Sequence, residues 1–444
     1  MGETCRRKVE WLPHNRITTL NKNITMLRIN RTFGRRIRVF AVFVAFPCFL
    51  LCEPSPAAET TAPSLASVVE NLQSGDSPVR IVCFGDSITG VYYHTGSQRA
   101  WCDMLGIALK RAYPAARIEM TNAGISGHTT VNALARIEKD VIAKRPHLVV
   151  VMFGMNDITR VTPDVFEKNT VTIVRKCRSA GAAVVLCTPN SVIENPSRPN
   201  AGLKGLATRV QRVAKGAQLP LVDVFEQWQA IREQDETIWA LLMSDTIHPN
   251  MNGHKRFAEM ITKTISGKGV TLEDVAPPHD ALRRTFKVLA QGRPLKLVAM
   301  PPYDKLVPET LRVHFPEAQF QVTAWPTTGQ SLAQLSAWGK RIRGMAPHLV
   351  VVAVPPSAND ETKAAYIRNY EWVLNWSFHF GGRAWDVLPI LPSVTGPVAD
   401  KERERLSLAR RIVVGKDVEF IDRSAGNSQS TREILSEWVF SRKK

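Results

Sequence analysis

Between Val79 and Ile265, short apolar runs alternate with longer amphipathic ones, and this alternation restricts the fold more than any other feature. Ile81–Phe84, Arg117–Thr121, Leu148–Phe153, Ala182–Cys187 and Leu219–Val224 have the length and composition of strands. Helices are predicted near Ala100–Ala112, Thr130–Lys144, Pro163–Ala180 and Leu203–Gly216, with a closing helix near Asn252–Ile265. Parallel strands need crossovers, and helical crossovers cover both faces of the sheet, so the strands read as apolar throughout. The expected fold class is therefore α/β, a three-layer α/β/α sandwich around a parallel sheet. Sites in such sheets lie at the carboxyl ends of strands, where Ser87, Asn156 and the loop after Cys187 fall.

The pattern then restarts. Phe315–Thr323 echoes Tyr113–Thr121, and Pro347-His348-Leu349-Val350-Val351-Val352 repeats Pro146-His147-Leu148-Val149-Val150-Val151 residue for residue at an offset of 201. Leu295–Met300, Trp385–Leu391 and Val418–Asp422 match the remaining strands, so a tandem duplication is expected. The resulting domain plan is a signal region over 1–57, a linker over 58–78, a catalytic domain over 79–265, a second linker over 266–282 and a degenerate copy over 283–444. That copy has Pro301-Pro302-Tyr303 where the first has Gly85-Asp86-Ser87, and no histidine follows Val418–Asp422. Its expected role is packing on the first domain; Trp325, Trp338, Trp372 and Trp376 offer a sugar platform as the alternative.

Chemistry concentrates in four short blocks of the first copy. Gly85-Asp86-Ser87 follows the first strand; Asn122-Ala123-Gly124-Ile125-Ser126-Gly127, Gly154-Met155-Asn156-Asp157 and Asp245-Thr246-Ile247-His248-Pro249-Asn250 come later, in that order. A serine hydroxyl is a poor nucleophile unless a base lies within hydrogen-bond reach and a third group orients that base. His248 suits the base, and Asp245 on the same loop suits the orienting group. Together the blocks resemble those of the GDSL/SGNH hydrolases, a family of esterases and lipases. The resemblance covers about residues 79–265 and implies a flavodoxin-like sheet, Ser87, Asp245 and His248 as a catalytic triad, and an oxyanion hole from the N–H groups of Ser87 and Gly127 and the amide of Asn156. Asp86 and Asp157 are read as braces of their turns, and His94, His128, His147, His254 and His348 as structural.

The net charge of +18 is compatible with an anionic polysaccharide or lipid headgroup, but no compact basic run interleaves with aromatics, so nucleic acid is not an expected partner. Arg28, Arg31, Arg35, Arg36 and Arg38 precede the 14-residue apolar stretch Val39–Cys52 and a small-residue site near Ala57, which reads as an export signal, with Met26 as a more conventional start. That stretch is short of the roughly 20 residues a membrane span needs, so export to the periplasm or exterior is expected, with an uncleaved anchor as the alternative. Cys102 and Cys177 could pair in an oxidising compartment. No Cys/His cluster has metal-ligand spacing, and neither a metal nor a cofactor is expected.

The loops Val91–Arg99 and Asn190–Asn200 should line the mouth, with Tyr92, Tyr93 and Arg99 contacting substrate. They are polar, which favours a short acyl group on a polar carrier such as an acetylated glycan. The expected activity is a secreted serine carboxylesterase. An O-acetyltransferase, a lysophospholipase or thioesterase, and a glycan-binding protein without turnover are the alternatives.

Overall fold

The computed structural model of the protein describes residues 64–278, 281–358, 362–394, 399–424 and 426–442, so the expected signal region lies outside the described residues. The first sheet contains β1 (Val79–Gly85), β2 (Ile118–Gly124), β3 (Leu148–Met152), β4 (Ala183–Cys187) and β5 (Leu221–Val222). All its pairings are parallel and its order is β2-β1-β3-β4-β5. Alternation along β1 builds two cores. Ile81 and Cys83 face helices Trp101–Ala112 and Met251–Ser266, whereas Val82 and Phe84 face Thr130–Asp140 and Pro163–Ser179. Cys102 belongs to the first core and Cys177 to the second, so the sheet separates them; both are free thiols and the pairing considered from sequence does not form.

The segment expected to be a linker, 58–78, contains a helix, Leu65–Ser74. Ser64 caps it by accepting the Ser67 N–H at 3.3 Å, and Val68 and Leu72 are buried in the first core. Its apolar face makes it part of the domain.

The second half forms another parallel sheet from β6 (Leu295–Ala299), β7 (Phe320–Ala324), β8 (Leu349–Val352) and β9 (Asp386–Pro389), in the order β7-β6-β8-β9. This repeats the arrangement of the first four strands and is consistent with duplication. The expected fifth strand is reduced to one parallel bridge, Ile390 to Ile421. The repeated Pro-His-Leu-Val-Val-Val segment does the same structural work twice. In the first half His147 accepts the Arg80 N–H on Nδ1 at 3.0 Å, donates its own N–H to Arg80 O at 2.9 Å, and accepts the Ala183 N–H at 2.9 Å. In the second, His348 does so with Lys296 at 3.0 and 2.8 Å and with Asp386 at 3.0 Å. Each histidine thus clips three neighbouring strands together at their amino ends.

Both sheets fall in one compact unit, 59–444. The loop leaving β1 meets the second half directly: Tyr93 N–H donates to Phe380 O at 3.1 Å, and Ser97 Oγ to His379 O at 2.8 Å. Gly96 has φ +71°, and a Cβ there would come within 1.9 Å of Lys416 O, so this contact admits only glycine. The tryptophans that offered a platform as the alternative are packed: Trp325 is buried and stacks on Trp338, while Trp372 stacks on Trp376 and on Tyr93.

Candidate active site

The end of β1 presents the serine. Beyond Gly85 the chain turns so that Thr89 and Gly90 both donate to Asp86 O, at 3.2 and 3.0 Å, while the Asp86 carboxylate accepts the Ile88 N–H at 2.9 Å. Burial pushes the Asp86 pKa up to about 7, which suits a brace of the turn.

Ser87, His248 and Asp245 form one hydrogen-bonded chain. Ser87 Oγ lies 2.9 Å from His248 Nε2, and His248 Nδ1 lies 2.8 Å from Asp245 Oδ2. A carboxylate only accepts, so Nδ1 carries the proton and Nε2 turns its lone pair to the serine hydroxyl. Asp245 Oδ1 accepts the N–H groups of Ile247 and His248, both at 2.8 Å, which fixes the carboxylate against its own loop. Burial favours the protonated acid, but the His248 ring and these two N–H groups outweigh it and hold Asp245 below the usual carboxylate range.

Two aromatic neighbours complete the setting. Tyr93, expected at the mouth, is instead buried and donates its hydroxyl to Asp245 Oδ2 at 2.8 Å. Burial and the adjacent carboxylate push its phenol above the ordinary range, so it remains a donor. His94, read from sequence as structural, stacks on His248 with centroids 4.7 Å apart and planes at 4°, and its Nε2 donates to Ser87 O at 3.1 Å. Burial, then the charge His248 acquires, lowers the pKa of His94, and the same two causes lower His254 to about 3. Both therefore stay neutral beside His248. Nothing in the sequence around His94 signals this stacking, which depends on how the 91–99 loop folds back.

The loops carrying Gly127 and Asn156 are stitched to each other. Asn156 Nδ2 donates to His128 O at 3.1 Å, Arg160 to Gly127 O at 2.6 Å, and Asp157 Oδ1 accepts from Thr130 N and Oγ1 at 2.9 and 2.6 Å. Gly127 has φ +76°, and only Arg160 comes within 4 Å of where its Cβ would be. Among the described residues, the N–H groups of Ser87 and Gly127 have no acceptor, leaving both available to an incoming oxygen. Arg198 donates to Met155 O at 3.0 Å, so with Arg160 it makes this rim polar and cationic.

Arg99 is not at this rim. Its guanidinium makes a two-pronged ion pair with Asp417 of the second half at 2.6 and 2.8 Å and also donates to Ala276 O at 3.0 Å. Tyr92 is half-buried; its hydroxyl accepts the Ser126 N–H at 2.8 Å and its ring packs on Phe380.

Residues 83–256 match the GDSL-like lipase/acylhydrolase family model. This segment belongs to that family. An acetylxylan esterase from Geobacillus stearothermophilus is 29% identical over 170 residues, covering 35% of this chain and 76% of that protein. Esterase TesA from Pseudomonas aeruginosa is 28% identical over 205 residues, covering 45% of this chain and 94% of its own. Among solved structures, a lipase/acylhydrolase from Enterococcus faecalis is 28% identical and aligns over 44% of this chain and 99% of that one, with a TM-score of 0.38. The GDSL-like domain is a carboxylic ester hydrolase.

Both ends of the GDSL-like domain's Asp245–His248 loop are anchored on the second half. At one end Ser244 exchanges hydrogen bonds with Asn375: its Oγ donates to Oδ1 at 2.9 Å and its carbonyl accepts from Nδ2 at 2.8 Å. Lys416 Nζ reaches Ser244 Oγ and Asn375 Oδ1 at 2.6 and 2.7 Å and pairs with Glu371. At the other end Asn250 donates to Glu371 at 3.3 Å, and Met251 N–H to Gly415 O at 2.8 Å. Lys416 and Glu371 are both buried; burial pushes the lysine down and the glutamate up to about 7, and each opposes the other's shift. Sequence reading missed this anchor because its members lie more than a hundred residues from the loop they hold.

Proposed function

We propose that the GDSL-like domain is a serine esterase that removes short acyl groups, acetyl foremost, from a carbohydrate or another polar carrier through an acyl-enzyme. The observation that carries this reading is the continuous chain from Ser87 Oγ through His248 to Asp245, with separations of 2.9 and 2.8 Å. Ser87 Oγ attacks the ester carbonyl carbon as its proton passes to His248 Nε2. The imidazolium is stabilised by Asp245, and the oxyanion is met by the N–H groups of Ser87 and Gly127 and the Asn156 amide. His248 then gives its proton to the leaving alkoxide. Water enters, loses a proton to the same nitrogen and attacks the acyl carbon; the acyl–oxygen bond to Ser87 then breaks, Ser87 Oγ takes that proton back from His248, and the carboxylic acid departs.

The polar rim of Arg160 and Arg198 and the relative named for acetylxylan favour an acetylated sugar over a long lipid tail. The second half, read as a degenerate copy of the first, serves as a support for the Asp245–His248 loop. The basic and then apolar N-terminal stretch supports export; no helix among the described residues is long and apolar enough to cross a membrane.

The test is release of p-nitrophenol from acetyl, butyryl and longer p-nitrophenyl esters, beside acetate release from acetylated xylo-oligosaccharides. Turnover that falls with chain length, and acetate release from the glycan, are expected. A rate that climbs with chain length overturns the short-acyl reading, and acetyl appearing on an added acceptor glycan instead of in water assigns a transferase.

A further inference from the structure

Apart from the triad, the two halves enclose a groove of about 1000 Å³ with a cationic wall. Arg283, Arg284, Lys287 and Arg293 line it, with His348 and Arg383 beside them. The carboxylate in the lining, Asp386, is already engaged, accepting from Thr285 N and Oγ1 at 2.7 and 2.8 Å and from Arg383 at 3.0 Å. The first four cations are exposed and have no carboxylate partner among the described residues, whereas Arg111, Lys176 and Arg209 elsewhere on the surface are each paired with one.

Their placement runs against local helix preference. Helix Arg283–Ala290 begins with two arginines, where the helix N-terminus already carries positive potential that Asp386, on the Thr285 N–H, offsets only in part, and Lys287 follows one turn later. Like charges at these spacings repel. Burial, followed by the charges of Arg293, Lys296 and Arg284, also lowers the pKa of His348, so the field reaches the side of the groove. A polyanion entering the groove relieves all of these repulsions together.

We propose that this groove binds an acidic glycan strand, its carboxylates facing Arg284, Lys287 and Arg293, and so brings acylated sugars of the same strand to Ser87. The proposal rests on the ester-hydrolase reading above. The lining also includes Val91, Ser97 and Gln98, on the loop that leaves the nucleophile. Val91 is four residues from Ser87, at most about 14 Å of extended chain, a distance a few sugar units span. Gln98 and Gln291 offer partners for sugar hydroxyls, and among the described residues no Phe, Tyr or Trp lines the groove to stack nucleic-acid bases.

The test uses the full chain carrying Ser87→Ala, titrated calorimetrically with an oligogalacturonate, with a neutral xylo-oligosaccharide of equal length and with polyuridylate, and repeated with Arg284→Ser, Lys287→Ser and Arg293→Ser combined. The oligogalacturonate should bind at least about tenfold tighter than the neutral oligomer, weaken about tenfold with the triple substitution, and weaken again between about 50 and 500 mM salt. Hydrolysis of p-nitrophenyl acetate by the triple variant with Ser87 intact should be unchanged. Equal binding of acidic and neutral oligomers, indifference to the triple substitution, or equally tight binding of polyuridylate overturns the proposal. Groove-dependent binding in a protein that hydrolyses no ester would sink the esterase reading alone; esterase activity without such binding would sink the groove alone.

Discussion

Tyr93 and His248 share one acceptor: the phenol and the imidazole N–H both donate to Asp245 Oδ2, each at 2.8 Å. The oxygen that orients the His248 ring is thereby held from two sides. Tyr93→Phe removes one donor while keeping the buried ring, so the acid is less well fixed and becomes more basic. A hydrogen bond to a charged group contributes roughly 1.5–3 kcal/mol. Steady-state kinetics on p-nitrophenyl acetate should show kcat lowered about tenfold with KM little changed; an unchanged kcat would remove Tyr93 from the machinery.

Ser87→Ala and His248→Ala should each lower kcat by on the order of 10⁴-fold or more, and the double variant should be no worse than either alone, since the two act as one unit. Separate, additive losses would mean that the 2.9 Å contact is not used in turnover.

Asn156→Ala takes away a candidate oxyanion donor and should lower kcat by on the order of 10²–10³. Because Asn156 Nδ2 also donates to His128 O, thermal melting must accompany the kinetics. A rate loss with an unchanged melting temperature assigns the amide to the transition state, and a parallel loss of both assigns it to the loop.

Asp86 supplies a pH signature. Its carboxyl titrates near 7 when folded, against 3.8 for the free group. Between those values the folded form holds a proton that the unfolded chain has released, so stability falls as pH rises through this window and levels off above about 7. Asp86→Asn keeps an acceptor for the Ile88 N–H and cannot ionise. Its melting temperature should exceed that of the wild type by a margin that grows from pH 4 to pH 7 and then stays constant; a margin independent of pH contradicts the assignment.

Lys416→Met leaves Glu371 buried without its cation and should destabilise the protein by on the order of 3 kcal/mol in chemical denaturation. If the pair positions the Asp245–His248 loop, Lys416→Met with Glu371→Gln should recover most of the stability while kcat stays low. Recovery of both would make the pair purely structural.

The strands of the first half, Arg117–Thr121 apart, were legible because each is an apolar run with its own boundaries, and a parallel sheet put Ser87 and Asn156 at carboxyl ends of strands. Pro-His-Leu-Val-Val-Val was legible as a repeat, although its reason, a histidine clipping three strands, needed the register. Tyr93, His94 and Arg99 were misread for one physical cause. The 91–99 loop looks like a polar rim when taken alone, but packing against residues 379–381 and 416–417 turns Tyr93 and His94 inward and Arg99 away. The helix Leu65–Ser74 was hidden by its alanine- and serine-rich flank, and the Lys416–Glu371 anchor by distance along the chain.

The location of that anchor bears on where the polypeptide could be cut. A fragment ending at Ser266 would carry every triad residue and the whole first sheet, yet Ser244 would lose Asn375 and Lys416, and Asn250 would lose Glu371. The second lobe is the outer half of the scaffold that holds the Asp245–His248 loop. The unit that must stay whole for that loop to keep its anchors is therefore the pair of lobes, and substitutions at Asn375, Glu371 or Lys416 are expected to register in the reaction rate of the first.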